Sequence, residues 1–331
     1  MIDKTVIITG GNSGLGYECA KEMAASQQAW HIIIACRNLQ KASAAVDSLI
    51  AQSPRAKIEA MPIDLTSLAS VRNFARDFRT RDLPPLRALV CNAGIQVVSG
   101  TTYTQDGFET TFGVNHLGHF LLTHLLLKLF VAPARIVMVS SDTHDPLQKT
   151  GMPEPHYDSA ASLACPEKSL SNEDTGKIGR QRYTTSKLCN VYLTYELSRR
   201  LQDDGLSTIQ NPISVNAFNP GLMPGTGLAR DYSPLQRFAW HFILPVIRPI
   251  AGAFISINSA GKSGKALARL LLDPAVESVS GKYFSGMLEI KSSQESYDRQ
   301  KAIDLWKTSI ALVKLTQEET PLSMQHEREL T

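Results

Sequence analysis

Short apolar runs bounded by turn residues recur through the first half of the chain, over 5–9, 31–36, 57–63, 88–91 and 135–140. Between them, residues 14–26, 39–52, 68–79 and 106–130 space their apolar positions as helices do. Strand and helix in alternation predict a parallel sheet with crossover helices on both faces. The nearly unbroken apolar strands agree, because a parallel sheet is buried on both sides.

The periodicity lapses from 142 to 180, where Pro146, Pro153, Pro155 and Pro166 lie among Ser, Glu, Lys and Gly. A long stretch without pattern inside a compact domain reads as a lid or binding loop. A helix is expected from about 181 to 201, a strand over 214–218, an irregular Gly/Pro-rich stretch over 219–234 and a last strand over 281–285. Ile303, Trp306, Ile310 and Val313 recur at three- and four-residue spacing, which predicts one apolar face on a closing helix. No repeat, low-complexity tract or Gly/Ser linker divides the chain. The expectation is an α/β fold, a single Rossmann-type doubly wound domain over 1–290. Residues 142–180 form an inserted loop, 219–258 cover the substrate, and 291–331 form a helical tail packed on the domain.

Composition narrows the function classes. With 43% hydrophobic and 20% charged residues in 331, the chain is an ordinary globular protein, and global disorder is excluded. A net charge of +3 without long basic runs argues against a nucleic-acid partner or an electrostatic membrane anchor. Cys19, Cys36, Cys91, Cys165 and Cys189 form no C-x-x-C pair and read as reduced, packed thiols. The first apolar run is too short for a signal peptide, so a cytoplasmic location is expected. The apolar stretch 238–257 is broken by His241, Pro245, Arg248 and Pro249, which makes it a poor membrane span. Residues 232–257 are expected to cover the substrate, with a place in the core as the near alternative and peripheral membrane contact as the lesser one.

Thr9-Gly10-Gly11-Asn12-Ser13-Gly14-Leu15-Gly16 follows a strand and opens a helix. In that context a glycine-rich turn can receive a pyrophosphate, with the free N–H groups of the helix start facing the anion. At the end of the second strand, an NAD site calls for a carboxylate on the adenosine ribose. Arg37 stands there instead, with Lys41 one turn into the next helix. Two cations suit a 2′-phosphate, and the expected cofactor is NADP(H).

Tyr183 and Lys187 are four apart in a helical run and share a face. A free phenol has a pKa of about 10, and a neighbouring ammonium favours the phenolate, bringing it nearer a working acid/base. Y-x-x-x-K alone is common on helices, so its weight comes from the other motifs. His116 and His119, one turn apart, lack an evident third ligand, so packing is expected and no metal. Cys189 is expected to be structural.

These motifs together resemble the short-chain dehydrogenase/reductase family, over about residues 4 to 290. Thr9-Gly10-x-x-x-Gly14-x-Gly16 is similar to its cofactor loop, Asp64 with Leu65 to its adenine contact, and Asn92-Ala93-Gly94 to its N-A-G strand end. Asn115, Ser141, Tyr183 and Lys187 resemble its catalytic tetrad, and Pro220-Gly221 with Thr226 its carboxamide-binding segment. The resemblance implies that Tyr183 exchanges a proton with the substrate oxygen and Ser141 hydrogen-bonds that oxygen. It also implies that Lys187 binds the nicotinamide ribose and Asn115 helps hold a water-linked proton path. Ser140 precedes Ser141, and the family pattern places the catalytic hydroxyl second.

Ala35-Cys36-Arg37-Asn38, Asn115-His116-Leu117-Gly118-His119-Phe120 and Ser186-Lys187-Leu188-Cys189-Asn190 are similar to retinol dehydrogenases and light-dependent protochlorophyllide reductases. Leu222 and Ser141 depart from the photoenzyme, which carries Cys and Thr there. Carbonyl–alcohol interconversion on a bulky apolar substrate is therefore expected. Photoreduction of a C=C bond and non-catalytic NADP(H) sensing are the alternatives. The family's habits leave a homo-oligomer open.

Overall fold

The computed structural model describes residues 3–166, 175–224, 231 and 258–324. Eight strands form one sheet in the order β3-β2-β1-β4-β5-β6-β7-β8. They are β1 Lys4–Thr9, β2 Trp30–Cys36, β3 Lys57–Pro62, β4 Leu86–Cys91, β5 Phe130–Val139, β6 Ile213–Asn219, β7 Lys282–Ser285 and β8 Leu288–Ile290. All neighbours pair parallel except β7 with β8. The chain order reverses between β1 and β4, which opens a crevice at the carboxyl ends of the strands.

Helices α1 Gly14–Ala25, α2 Leu39–Gln52 and α3 Leu68–Arg79 occupy the predicted crossovers. Cores lie on both faces of the sheet: Ile7, Ile33 and Leu89 point to one side and Val6, Ile8, Ile32 and Ile34 to the other. This two-sided burial explains why the strands carry no polar alternation.

The fourth crossover differs from the expected single helix over 106–130. A turn of helix at Thr110–Phe112 passes into a π-helical turn at Gly113–Leu117, and only then into α4, Gly118–Leu126. Strand β5 already begins at Phe130, five residues before its expected start. Phe130, Val131 and Ala132 continue the helix's apolar run, so composition gave no boundary there.

The described parts of the 142–180 segment, 142–166 and 175–180, carry more regular structure than the composition suggests. A short helix α5, Ala160–Ala164, lies within it, and α6 starts at Thr175, six residues earlier than expected, and runs to Asp203. Helix α7, Ala260–Leu272, packs beside α1. Gly264 makes this approach possible, since a Cβ there would collide with Glu18.

The tail helix α8, Arg299–Leu312, buries Ala302, Leu305, Trp306 and Ser309, a face turned by about one residue from the predicted stripe. Ile303 and Ile310 are only half-buried. Small residues mark the closest approach: Ser309 Oγ lies 2.8 Å from His116 Nε2, and the Trp306 ring meets Phe120 edge-on at 5.3 Å. Among the described residues no helix is long and apolar enough to cross a membrane. The expected substrate cover at 232–257 and the expected contact Thr226 lie outside the described residues.

Candidate active site

The turn after β1 closes because glycine occupies its tight points. Gly14 has φ +57°, and a Cβ on Gly16 would come within 2.6 Å of Asn92 Nδ2 and 2.8 Å of the Gly10 carbonyl. Gly16 thus lets α1 press against the end of β4 without itself lining the cleft. Ser13 is the N-cap of α1, yet its side chain caps nothing. Asn38 and Ser67, by contrast, accept from Lys41 N and Ser70 N at the starts of α2 and α3. The amides at the start of α1 therefore remain for an anion.

Beside this turn runs a cleft of about 1230 Å³, enough for a dinucleotide and a substrate together. Gly10, Asn12, Ser13, Gly14 and Leu15 line one part of it, Arg37 and Lys41 the outer end, and Asp64 and Leu65 the wall between. Arg37 and Lys41 are exposed, and neither has an acidic partner among the described residues. Asp64 Oδ1 accepts from the amide and hydroxyl of Thr66 at 3.0 and 2.8 Å. Asn92, Ala93 and Gly94 line the floor, and Asn92 Nδ2 donates to the Thr9 carbonyl at 2.7 Å.

The inner end gathers Ser141, Tyr183, Lys187, Pro220 and Gly221. Tyr183 and Lys187 project from one face of α6, with Lys187 Nζ 5.4 Å from the Tyr183 ring centre. Lys187 Nζ donates to the Val139 carbonyl at 3.1 Å, and burial lowers its pKa to about 8. The two serines separate clearly. Ser140 is buried and its hydroxyl donates to the Lys187 carbonyl at 2.7 Å, whereas Ser141 is half-buried and donates to Asp142 Oδ1 at 3.0 Å.

Asn115 does not line the cleft. It sits fully buried in the π-helical turn, where Oδ1 accepts from Ile95 N at 2.8 Å and Nδ2 donates to the Ile95 carbonyl and to Ser186 Oγ. It thereby fixes the strand end that carries Gly94 against helix α6.

Asp142 is the principal site residue that motif reading passed over. It borders the cleft and a second, smaller cavity, and burial raises its carboxyl pKa. Its position next to Ser141 was the available signal. Ile95, Val114, Met152, Leu222 and Met223 give the inner end an apolar lining. They come from four separate segments, so no sequence pattern unites them.

The histidine pair is packed as expected: His116 meets Ser309, and His119 meets Thr9 and Asn115. Among the described residues no group of side chains could hold a metal. Cys189 is fully buried in the core and burial pushes its thiol up; only Cys165 of the five thiols is exposed.

A family model of short chain dehydrogenases matches residues 4–152. The human WW domain-containing oxidoreductase is 35% identical over 312 residues, covering 94% of this chain and 68% of that protein. Protochlorophyllide reductase A of Arabidopsis thaliana is 36% identical over 327 residues, covering 94% and 76%. A crystal structure of an uncharacterised Mycobacterium paratuberculosis protein superposes with a TM-score of 0.66 at 29% identity, covering 94% and 93%.

Proposed function

The chain belongs to the short-chain dehydrogenase family, and we propose that it interconverts a carbonyl and an alcohol on a bulky apolar substrate, using NADP(H) and Tyr183 as the acid/base. The observation that carries this reading is a single continuous cleft with Arg37 and Lys41 at one end and Ser141, Tyr183 and Lys187 at the other.

The residues present fit a phosphorylated dinucleotide. The uncapped start of α1 offers amides to the pyrophosphate, Arg37 and Lys41 offer cations to a 2′-phosphate, and Asp64 Oδ2 is left over for an adenine amine. Asn12, Asn92, Gly94, Pro220 and Gly221 complete the cofactor's surroundings. The nicotinamide supplies or accepts the hydride when bound.

The remaining chemistry belongs to the chain. Tyr183 Oη gives its proton to the substrate oxygen during reduction and takes it back during oxidation. Lys187 places its ammonium beside the Tyr183 ring, and a cation near a phenol favours the charged form that the proton exchange passes through. Ser141 Oγ donates to the same substrate oxygen as negative charge develops there. Asn115 holds the Ile95 strand end and α6 together and contributes the protein side of a proton path. Val114, Met152, Leu222 and Met223 exclude water and receive an apolar substrate body.

A substrate panel of aldehydes and ketones with NADPH tests the reading. Tyr183→Phe should abolish turnover and leave NADPH binding unchanged; turnover retained in that variant would reject Tyr183 as the acid. A second reading, C=C reduction of a pigment, is favoured by the 36% identity to protochlorophyllide reductase A. Leu222, which lines the cleft where the photoenzymes carry a cysteine, weighs against it. A pigment titration under illumination decides: absence of binding removes this second reading.

A further inference from the structure

His119 lies one turn beyond Asn115 and is almost fully buried, its ring held at both nitrogens. Nδ1 is 3.2 Å from the Asn115 carbonyl oxygen and Nε2 is 2.9 Å from Thr9 Oγ1. A carbonyl can only accept, so the ring proton sits on Nδ1, and Nε2 faces the Thr9 hydroxyl as an acceptor that shares its one proton with the Val90 carbonyl at 3.2 Å. The lone pairs of that hydroxyl accept from Asn92 N at 2.9 Å and Ala93 N at 3.0 Å. The donors therefore point one way, from the Asn92 and Ala93 amides through the Thr9 hydroxyl and the His119 ring to the Asn115 carbonyl, with a branch at Thr9 to the Val90 carbonyl. Such a chain polarises cooperatively in a buried setting. The Asn115 side chain makes a separate link: its Nδ2 donates to Ser186 Oγ, which donates to the Tyr183 carbonyl at 2.7 Å.

We propose that His119 is a positioning residue that couples the cofactor-binding strand end at Asn92 and Ala93 to the proton path at Asn115, by fixing the Asn115 carbonyl through its Nδ1–H. The coupling rests on the reading of Asn115 as part of that path. Burial, reinforced by the Lys187 charge, lowers the His119 pKa to about 4, so the ring stays neutral and keeps its tautomer at neutral pH. A doubly protonated ring would have to break from Thr9 Oγ1, whose lone pairs are already engaged.

Two substitutions separate the two ends of the ring. His119→Asn places an amide N–H near the position of Nδ1 and withdraws from Thr9. His119→Gln reaches toward Thr9 and gives up the donor to Asn115. Protein labelled with ¹⁵N-histidine should show His119 as the Nδ1–H tautomer at pH 7, and its resonance should move when NADPH is added. In turnover of 4-nitrobenzaldehyde, His119→Gln should lose at least about fivefold more kcat than His119→Asn, the worth of roughly one neutral hydrogen bond. His119→Asn should lose the larger share of NADPH affinity. An Nε2–H ring, a resonance indifferent to NADPH, or proportionate losses in both variants would overturn the coupling. The resonance and the NADPH dissociation constants need no substrate, so they decide even if the aldehyde is not turned over. Turnover surviving Tyr183→Phe would reject the acid/base assignment alone, since the tautomer and its response to NADPH are read independently of Tyr183.

Discussion

The Ser141 hydroxyl donates to Asp142 Oδ1 at 3.0 Å and accepts from Thr143 N at 3.3 Å, so its single proton is committed to the neighbouring carboxylate. To hydrogen-bond a substrate oxygen, Ser141 must turn away from that carboxylate. A hydrogen bond to a charged group is worth about 1.5–3 kcal/mol, against about 1 kcal/mol for a neutral one. Asp142→Asn should therefore ease the rotation and raise kcat/KM at pH 7 by about three- to tenfold. Burial holds the Asp142 carboxyl above its ordinary range, and protonation removes the competing charge. The advantage of the variant should then shrink as the pH falls through that raised pKa. A variant slower than the parent across the whole pH profile would show that the carboxylate assists the reaction instead.

Cofactor choice turns on Arg37 and Lys41, both of which line the outer end of the cleft without acidic partners among the described residues. Arg37→Ala should weaken NADPH by about ten- to a hundredfold, the worth of one charge-assisted contact, and leave NADH nearly unchanged. Dissociation constants for both nucleotides measure this directly. Equal affinity for the two in the parent protein would refute the assignment.

Lys187 illustrates a site residue held against the preference of the fold. Burial lowers its pKa to about 8, so the folded chain binds this proton less tightly than the unfolded one, whose lysine titrates near 10.4. Below pH 8 the charged amine is a cost to stability, and the cost is relieved as the pH rises from about 8 to about 10.4. Lys187→Met should abolish turnover and yet raise the melting temperature at pH 7, by roughly 2–4 °C for each kcal/mol relieved. Calorimetry of the two proteins checks this. A lower melting temperature would mean that the Lys187 bond to the Val139 carbonyl outweighs the desolvation.

Much of this site was legible because its chemistry is contiguous or helically spaced. The glycine turn occupies eight successive residues, and Tyr183 with Lys187 needs only the period of one helix. The remaining features depend on long-range placement. Residues 106–130 read as one apolar helix, so nothing in that pattern marks the π-helical turn at Gly113–Leu117 or the early start of β5. His119 looked like a packing residue because its partner Thr9 is 110 positions away. The face of α8 was misplaced by a residue for a related reason. Spacing arguments weight Ile303 and Ile310, but helices approach most closely where Ala302 and Ser309 lie.

Three fully buried histidines, His116, His119 and His124, should make the folded chain sensitive to acid. Burial is the main cause that lowers His116 and His124 to pKa values of about 3 and His119 to about 4, with His119, Arg200 and Lys187 adding like-charge repulsion in turn. Neither His116 Nδ1 nor His124 Nε2 has a hydrogen-bond partner among the described residues, so protonation would bury an unmet donor along with a charge. In the unfolded chain each ring titrates near 6.5, and between that value and the folded pKa the unfolded state binds the extra proton. The stability contributed by the neutral rings is thus complete above about pH 6.5 and falls as the solution is acidified, by up to about 1.4 kcal/mol per pH unit for each ring. Carboxylates lose their own interactions in the same range, so the parent profile alone is not diagnostic. His124→Gln removes one titrating ring and keeps a polar group near Thr320, its partner at 3.0 Å. The slope of unfolding free energy against pH between 6 and 4 should be shallower in that variant by about one proton's worth. Parallel slopes would mean that His124 titrates alike in the folded and unfolded chains, and that its burial beside Trp306 does not oppose the charge.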